Sequence, residues 1–273
     1  MEQFVSKPSE PSMAPDVDHL FKSYPVQKVG PGAIRQWLGQ GWEDLKVNPS
    51  ASLSYGIIFA LVGVLMSMVS AGNPAFFVAA TTGFFLVGPF LALGLYALSH
   101  QIEQGWQPRL LTSMFSIREN AVSLGFYAVL LGMLMIFWVR VAALITGIFF
   151  NDMSMSVSAM GYTGLWNALM GMDDGGMFVL SFFGVGLLFA LVAFVTGVVT
   201  APMLLERKVD IVTAAATSVR AVMKNPVTML VWAATITAIV GIGILTFNIG
   251  LIIAMPLVAH ASWHAYRALV KEE

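Results

Sequence analysis

The sequence contains no cysteine and little charge. Among its 273 residues there are 0 cysteines, and Asp, Glu, Lys and Arg together make up 11%. Without cysteine, disulfides, thiol nucleophiles, thiolate zinc sites and iron–sulfur clusters are all excluded. Soluble domains carry roughly 25% charged residues, so this chain has too few to cover a surface that faces water. These shortages exclude an ordinary soluble domain.

The chain is rich in long apolar runs. Hydrophobic residues make up 58% of the chain, and the mean hydropathy is +0.79. About 20 such residues span the ~30 Å hydrocarbon core of a bilayer as a helix. The formal net charge is -1, and no basic stripe with interleaved aromatics occurs, so we expect no nucleic-acid partner. We predict an all-α integral membrane protein whose first partner is the lipid bilayer.

A thirteen-residue pattern recurs along the chain and indicates how the membrane helices are arranged. SYGIIFALVGVLM (54–66) returns without gaps as SLGFYAVLLGMLM (123–135), with six identical positions, and a fainter copy, WAATITAIVGIGI, covers 232–244. Each copy opens an apolar segment that is followed by a second apolar segment with one proline. We interpret the pattern as a membrane helix hairpin used three times. Chance recurrence is the alternative, because glycine and proline are common in membrane helices.

The apolar segments predict six transmembrane helices. Pro89, Pro202 and Pro256 lie inside the second helix of each hairpin, where a membrane helix tolerates a kink. The predicted transmembrane domain covers residues 34–273, with spans at about 53–69, 75–99, 121–149, 177–204, 227–245 and 249–269.

The segment before the first span divides into a tail and a helix. Residues 1–33 hold five prolines and no helical period, which predicts a disordered or loosely docked cytoplasmic tail without the apolar region of a cleavable signal. Residues 34–47 have helical spacing, with Trp37 and Trp42 grouped as apolar and Asp44 grouped with the polar residues. This amphipathic helix either lies on the membrane surface or docks a protein.

Two further connections are amphipathic in the same way. Residues 100–120 are polar enough to leave the bilayer and include the amphipathic stretch 104–117, whose Trp106 is typical of the headgroup region. Residues 209–223 form the other amphipathic stretch. We therefore predict interfacial amphipathic helices on the cytoplasmic side.

The distribution of basic residues predicts the orientation. Lys and Arg collect on the cytoplasmic side of membrane proteins. Of the 14 Lys and Arg residues, thirteen lie before the first span, between spans two and three, between spans four and five, or at the end of the chain, from Arg267 onwards. We predict a multi-pass protein of the bacterial inner membrane with both termini in the cytoplasm.

Several of these features together resemble a known family. WLGQGWEDLKVNPSASLSYG before the first span, a proline-bearing second span, and QGWQPRL after it are similar to the bacterial membrane family DUF2189. The resemblance extends over about residues 28–270 and implies an integral membrane protein of uncharacterised function. We expect no haem or other cofactor.

Arg140 is the fourteenth basic residue and lies inside an apolar run, residues 133–150. A charge at the bilayer centre costs about 2.5–3.5 kcal/mol on insertion scales, so such residues usually face the bundle interior. One interpretation is a cavity-facing arginine that binds a solute or ion. The other is an arginine near the outer end of its helix that snorkels or pairs with Asp152, Asp173 or Asp174.

Four polar residues form a second candidate site. Glu206 and Asp210 follow Pro202 by four and eight residues, and His260 and His264 follow Pro256 in the same way. Each pair is spaced to share one helix face. Two imidazoles and two carboxylates at one depth could bind a divalent metal. The alternative is interfacial polar groups that fix how two helices pack, and we commit to no metal site.

These observations leave three classes of function. The leading hypothesis is a non-enzymatic accessory or scaffold protein of a membrane complex, acting with a membrane-protein partner or as a homo-oligomer. It is favoured because few polar groups lie inside the predicted spans. The second is a small-solute transporter or channel that uses Arg140. The third is a metal-dependent membrane enzyme that uses the four polar residues above.

Overall fold

The computed structural model describes residues 24–69, 88–149, 171 and 174–271. These residues form helices joined by turns, and the β contact found among them is one antiparallel bridge between Val26 and Val270. In chain order the helices are α1 (Ala33–Val47), α2 (Pro49–Val69), α3 (Leu93–Glu103), α4 (Leu110–Phe115), α5 (Ala121–Phe149), α6 (Gly175–Gly197), α7 (Thr200–Glu206), α8 (Ile211–Lys224), α9 (Pro226–Leu245) and α10 (Leu251–Leu269).

Several of these helices are long and apolar enough to cross a membrane. Within the described ranges there are four such stretches, at Pro49–Met68, Leu110–Phe149, Gly175–Glu206 and Pro226–Leu245. They contain the third, fourth and fifth predicted spans and all but the last residue of the first. This confirms the all-helical membrane class for this part of the chain. The second predicted span begins outside the described residues. The sixth forms α10, which is not among the four stretches.

The predicted proline kink is seen most clearly at Pro202. The helix of the fourth predicted span is interrupted at Val198 and Val199, so that α6 ends at Gly197 and α7 begins at Thr200. Pro202 has no N–H to donate to the carbonyl of Val198, four residues earlier, and the helical ladder loses a bond there. Pro256, in contrast, lies within the unbroken α10.

Three asparagines hold the connecting segments together at one end of the bundle. Each directly precedes a long apolar helix, and each side-chain amide donates to a backbone carbonyl of another connection. Asn48 donates to Pro108 O at 2.7 Å, Asn120 to Val209 O at 3.0 Å, and Asn225 to Gln27 O at 2.9 Å. The segments that carry most of the basic residues therefore meet at this end, which we call the polar end.

The described part of the predicted tail is docked at the polar end. Tyr24 is buried, Val26 bridges Val270, and the backbone N–H of Val29 donates to Asn225 Oδ1 at 2.8 Å. Residues 1–23 lie outside the described residues.

The last helix, α10, is the centre of the bundle. It packs against α1, α2, α3, α7 and α9. Two glycines allow the closest approaches. A Cβ on Gly41 of α1 would lie 2.6 Å from the backbone nitrogen of Ala261, and a Cβ on Gly56 of α2 would lie 2.0 Å from the carbonyl oxygen of Ile252. Both helices therefore pack backbone to backbone on α10, as small residues allow in membrane proteins.

The apolar side chains divide into two clusters. The larger one surrounds α10 and includes the fully buried Trp232, Trp263 and Tyr266. The smaller one lies between α5 and α6 and is built around Trp138 and Phe182, whose ring centroids are 5.3 Å apart. The hairpin of α5 and α6 thus has an apolar core of its own.

Gly56 and Gly125 occupy the same position of the repeated pattern but differ in their surroundings. Nothing lies within 4 Å of the position of a Cβ on Gly125. We predict that Gly56→Ala lowers the free energy of unfolding by about 3 kcal/mol, because the new methyl group meets backbone that cannot yield. Gly125→Ala should change it by no more than about 1 kcal/mol, in the stabilising direction expected for alanine in a helix. Thermal unfolding of the purified variants in detergent measures both, and equal effects would contradict the packing described.

Candidate functional site

The polar side chains inside the bundle converge on the C-terminal half of α10. Helices α1, α2, α3 and α7 each contribute hydrogen-bonding groups to this part of α10. We call the whole set the α10 network, and it consists of Asp44, Ser52, Ser99, Glu103, Glu206, His260, Trp263, His264, Tyr266 and Arg267.

Asp44 lies on the buried face of α1, and its assignment to the polar face was wrong. Its neighbours on that face are Ile34, Trp37 and Leu45, all buried, and Asp44 itself is 6% exposed. Trp42, grouped with the apolar residues, is 44% exposed. The spacing along the helix would have revealed this burial, because positions 34, 37, 41, 44 and 45 lie on one face of α1. A carboxylate within an apolar stripe indicates a polar partner inside the bundle.

The first half of the network runs from α2 to α1 through α10. Ser52 Oγ lies 3.0 Å from His260 Nε2, and His260 Nδ1 lies 2.7 Å from Ser99 Oγ. Ser99 donates to Asp44 Oδ2 at 2.5 Å. His264 Nε2 reaches the same carboxylate oxygen at 2.9 Å.

The hydrogen-bond pattern assigns the proton positions in this chain of groups. The one hydroxyl hydrogen of Ser99 is given to the carboxylate of Asp44, so Ser99 Oγ accepts from His260 Nδ1–H. His260 is then the Nδ1–H tautomer, and its Nε2 accepts from the Ser52 hydroxyl. The two serine hydroxyls and both ring nitrogens of His260 thus have complementary partners, as buried polar groups require.

The second half of the network is made of ion pairs. Arg267 donates to Glu103 Oε1 at 2.8 Å and to Glu206 Oε1 at 2.6 Å. The indole N–H of Trp263 donates to Glu103 Oε2 at 3.0 Å, and the Tyr266 hydroxyl donates to Glu206 Oε2. The guanidinium of Arg267 therefore links α10 to the ends of α3 and α7.

The structure brings together only two of the four residues considered for a metal. His260 and His264 share one face of α10 and both lie near Asp44 Oδ2, at 4.0 and 2.9 Å. The prediction that Glu206 and Asp210 share a helix face is wrong, because α7 ends at Glu206 and Arg207 is extended. Across the described ranges, no group of three His, Asp or Glu side chains is arranged to hold a metal ion.

Asp210 instead caps the N-terminus of α8. Its carboxylate accepts from the backbone N–H of Thr213 at 2.9 Å and from the Thr213 hydroxyl at 2.6 Å. Partial burial acts to raise the pKa of Asp210, but the bonds from Thr213, together with those from the backbone of Val212 and Asp210, hold this pKa below its ordinary value. The residue has the ordinary role of an N-cap.

Arg140 lies on the outer surface of α5. Its side chain is exposed, between the exposed Phe137 and Leu144. Two of its possible partners, Asp152 and Asp173, lie outside the described residues, and Asp174 is exposed at the start of α6. Arg140 is not part of the α10 network.

The part of the α10 network formed by Ser52, Ser99 and His260 is closed to solutes. Ser52, His260 and Asp44 contain the group types of a hydrolytic triad, but Ser52 is 1% and His260 0% exposed. A nucleophile needs an open position beside it for the reacting carbon. The chemistry that this arrangement supports is therefore the fixing of four helices around α10.

The sequence pointed to His260 and His264 through their spacing, whereas Ser52 and Ser99 carried no signal that distinguishes them from structural serines.

Residues 76–206 match a family model described as predicted integral membrane protein (DUF2189). The resemblance inferred from the sequence is confirmed over this stretch, which includes the QGWQPRL segment and α3 to α7. The stretch is shorter than the 28–270 expected, and α1 and α10 lie outside it. No curated protein and no solved structure matches the chain.

Proposed function

We propose that this integral membrane protein is a non-enzymatic accessory or scaffold protein of a membrane complex. The observation that carries the proposal is the pairing of polar groups within the α10 network. Its carboxylates, imidazoles and guanidinium are hydrogen-bonded to one another, so the largest set of polar groups within the described bundle serves to hold helices. A pathway for a hydrophilic solute, or a reaction centre, needs such groups facing a cavity.

The outward face of α1 is the surface that we assign to the partner. Gln36, Gln40 and Glu43 are exposed there, opposite the face that packs on α10. Trp42 is exposed beside them. Exposed tryptophans are frequent anchors of protein interfaces. Helix α4 differs, because its exposed residues Leu111, Met114 and Phe115 are apolar and suit the bilayer interface.

Two exposed tryptophans provide a matched test of this assignment. The protein is extracted from native membranes in mild detergent and analysed for stoichiometric partners by mass spectrometry. We predict that Trp42→Ala removes the partner, since truncating an interface anchor typically costs at least about 2 kcal/mol of binding. Trp106→Ala, beside the apolar face of α4, should leave the complex intact.

A different pattern would contradict the proposal. Purification of the wild-type protein without any stoichiometric partner would exclude the accessory role. Release of the partner by Trp106→Ala but not by Trp42→Ala would move the interface away from α1. Solute flux through proteoliposomes that contain the protein alone would indicate a transporter instead.

The proposal includes a six-span topology built from three hairpins, with both termini in the cytoplasm of a bacterial cell. It is supported by the asparagine contacts that gather the basic connections at the polar end. It is also supported by Asn248, in the turn between α9 and α10, which donates to Ser67 Oγ at 3.2 Å near the far end of α2. The chain thus returns to the polar end through α10.

The absence of cysteine makes the orientation directly measurable. Phe247→Cys places a thiol in the exposed turn between α9 and α10, and Lys271→Cys places one at the polar end. We predict that an impermeant maleimide labels position 247 in intact spheroplasts and labels position 271 only after the membrane is permeabilised. Labelling of position 271 in intact spheroplasts would contradict the proposed topology.

A further inference from the structure

A cavity of about 450 Å³ lies between the two apolar clusters of the bundle. One wall comes from α5 and α6, including Trp138 and Phe182. The facing wall comes from α9 and α10, including Val240 and Val258. The cavity exists because the hairpin of α5 and α6 packs on its own aromatic core and leaves a gap beside α9 and α10.

The cavity opens sideways through the outer surface of the bundle. Its rim includes Phe183, Leu187 and Thr237, whose side chains are exposed, while Trp138 and Val240 on its floor are at most 3% exposed. The walls from α5, α6 and α9 belong to helices that are apolar and long enough to cross a membrane. The opening therefore faces the hydrocarbon layer and not the aqueous phase.

The hydroxyl groups of the walls are already bonded within the protein. Thr237 donates to Ala233 O at 2.8 Å, and Ser262 donates to Val258 O at 2.7 Å. Tyr96 is hydrogen-bonded to Ser262. A buried water needs two to four polar partners, and apolar cavities as small as ~150 Å³ stay dry and take up apolar ligands. These walls are suited to an apolar occupant.

We propose that the cavity binds one acyl chain of a membrane phospholipid, which enters sideways between α6 and α9. An acyl chain surrounds the opening on the outside and is thin enough to pass between two helices. A helix of a second copy, about 10 Å in diameter, would be too wide to reach the floor. The inference does not depend on the accessory role, because no residue of α1 takes part.

The test uses a lipid whose acyl chain reports what it touches. The protein is reconstituted in nanodiscs of phosphatidylcholine that carries a diazirine midway along one acyl chain, and the sites of photo-adducts are mapped by mass spectrometry. We expect adducts on the floor residues Trp138, Phe182 and Val240 in addition to those on the exposed surface. Adducts confined to outward-facing residues such as Leu180 and Ile253 would overturn the proposal.

Two alanine substitutions separate binding in the cavity from general lipid contact. Ala233 lines the cavity, so Ala233→Phe should fill it and abolish the floor adducts while the surface adducts remain. Ala143 is exposed on α5 and does not line the cavity, so Ala143→Phe should leave the floor adducts unchanged. Floor adducts that persist in Ala233→Phe would overturn the proposal. So would disulfide-linked dimers of Leu187→Cys in place of floor adducts, because they would assign the opening to a second copy.

Discussion

A carboxylate enclosed among packed helices has to be hydrogen-bonded, because leaving it unpaired in an apolar environment is more costly than any single helix contact can offset. Asp44 is such a group, and its partners lie on different helices. Ser99 on α3 donates to it, His264 on α10 reaches the same oxygen, and His260 continues the chain of bonds to Ser52 on α2. Asp44 is therefore satisfied only when α1, α3 and α10 are in place, and His260 is satisfied only when α2 is in place as well. This requirement gives the bundle one arrangement of these helices.

The same requirement explains the composition of α10. A helix surrounded by other helices can carry polar side chains inward, provided that each finds a partner, while the outer helices present apolar side chains to the bilayer. His260, His264 and Arg267 are paired in this way. Their presence lowers the hydropathy of α10, so that this helix is not among the four described stretches apolar enough to cross a membrane. The outer helices α5, α6 and α9 show the opposite pattern and carry the strongest apolar signal.

The features that follow from local pattern could be predicted from the sequence. The apolar helices, the bounds of α5 and the amphipathic character of α1 and α8 were of this kind, and so was the resemblance confirmed over residues 76–206. Features that depend on distant contacts could not be predicted. Nothing near Ser99 indicates that it bridges Asp44 and His260, and the identical pattern positions Gly56 and Gly125 do not reveal that only the first meets another backbone. Asp210 was misplaced for a local reason, because the extended Arg207 ends α7 before the helical spacing can continue.

Asp44 couples α1 to α10, and a double-mutant cycle measures this coupling. The free energies of unfolding are measured for Asp44→Ala, His264→Ala and the double variant, with Glu43→Ala as the exposed neighbour in a control cycle. A coupling energy of at least about 1 kcal/mol between Asp44 and His264 is predicted, because the two side chains are in contact at 2.9 Å. The control cycle of Glu43 and His264 should be additive within about 0.5 kcal/mol. Additivity of Asp44 and His264 would show that the carboxylate does not hold α10 in place and would contradict the account.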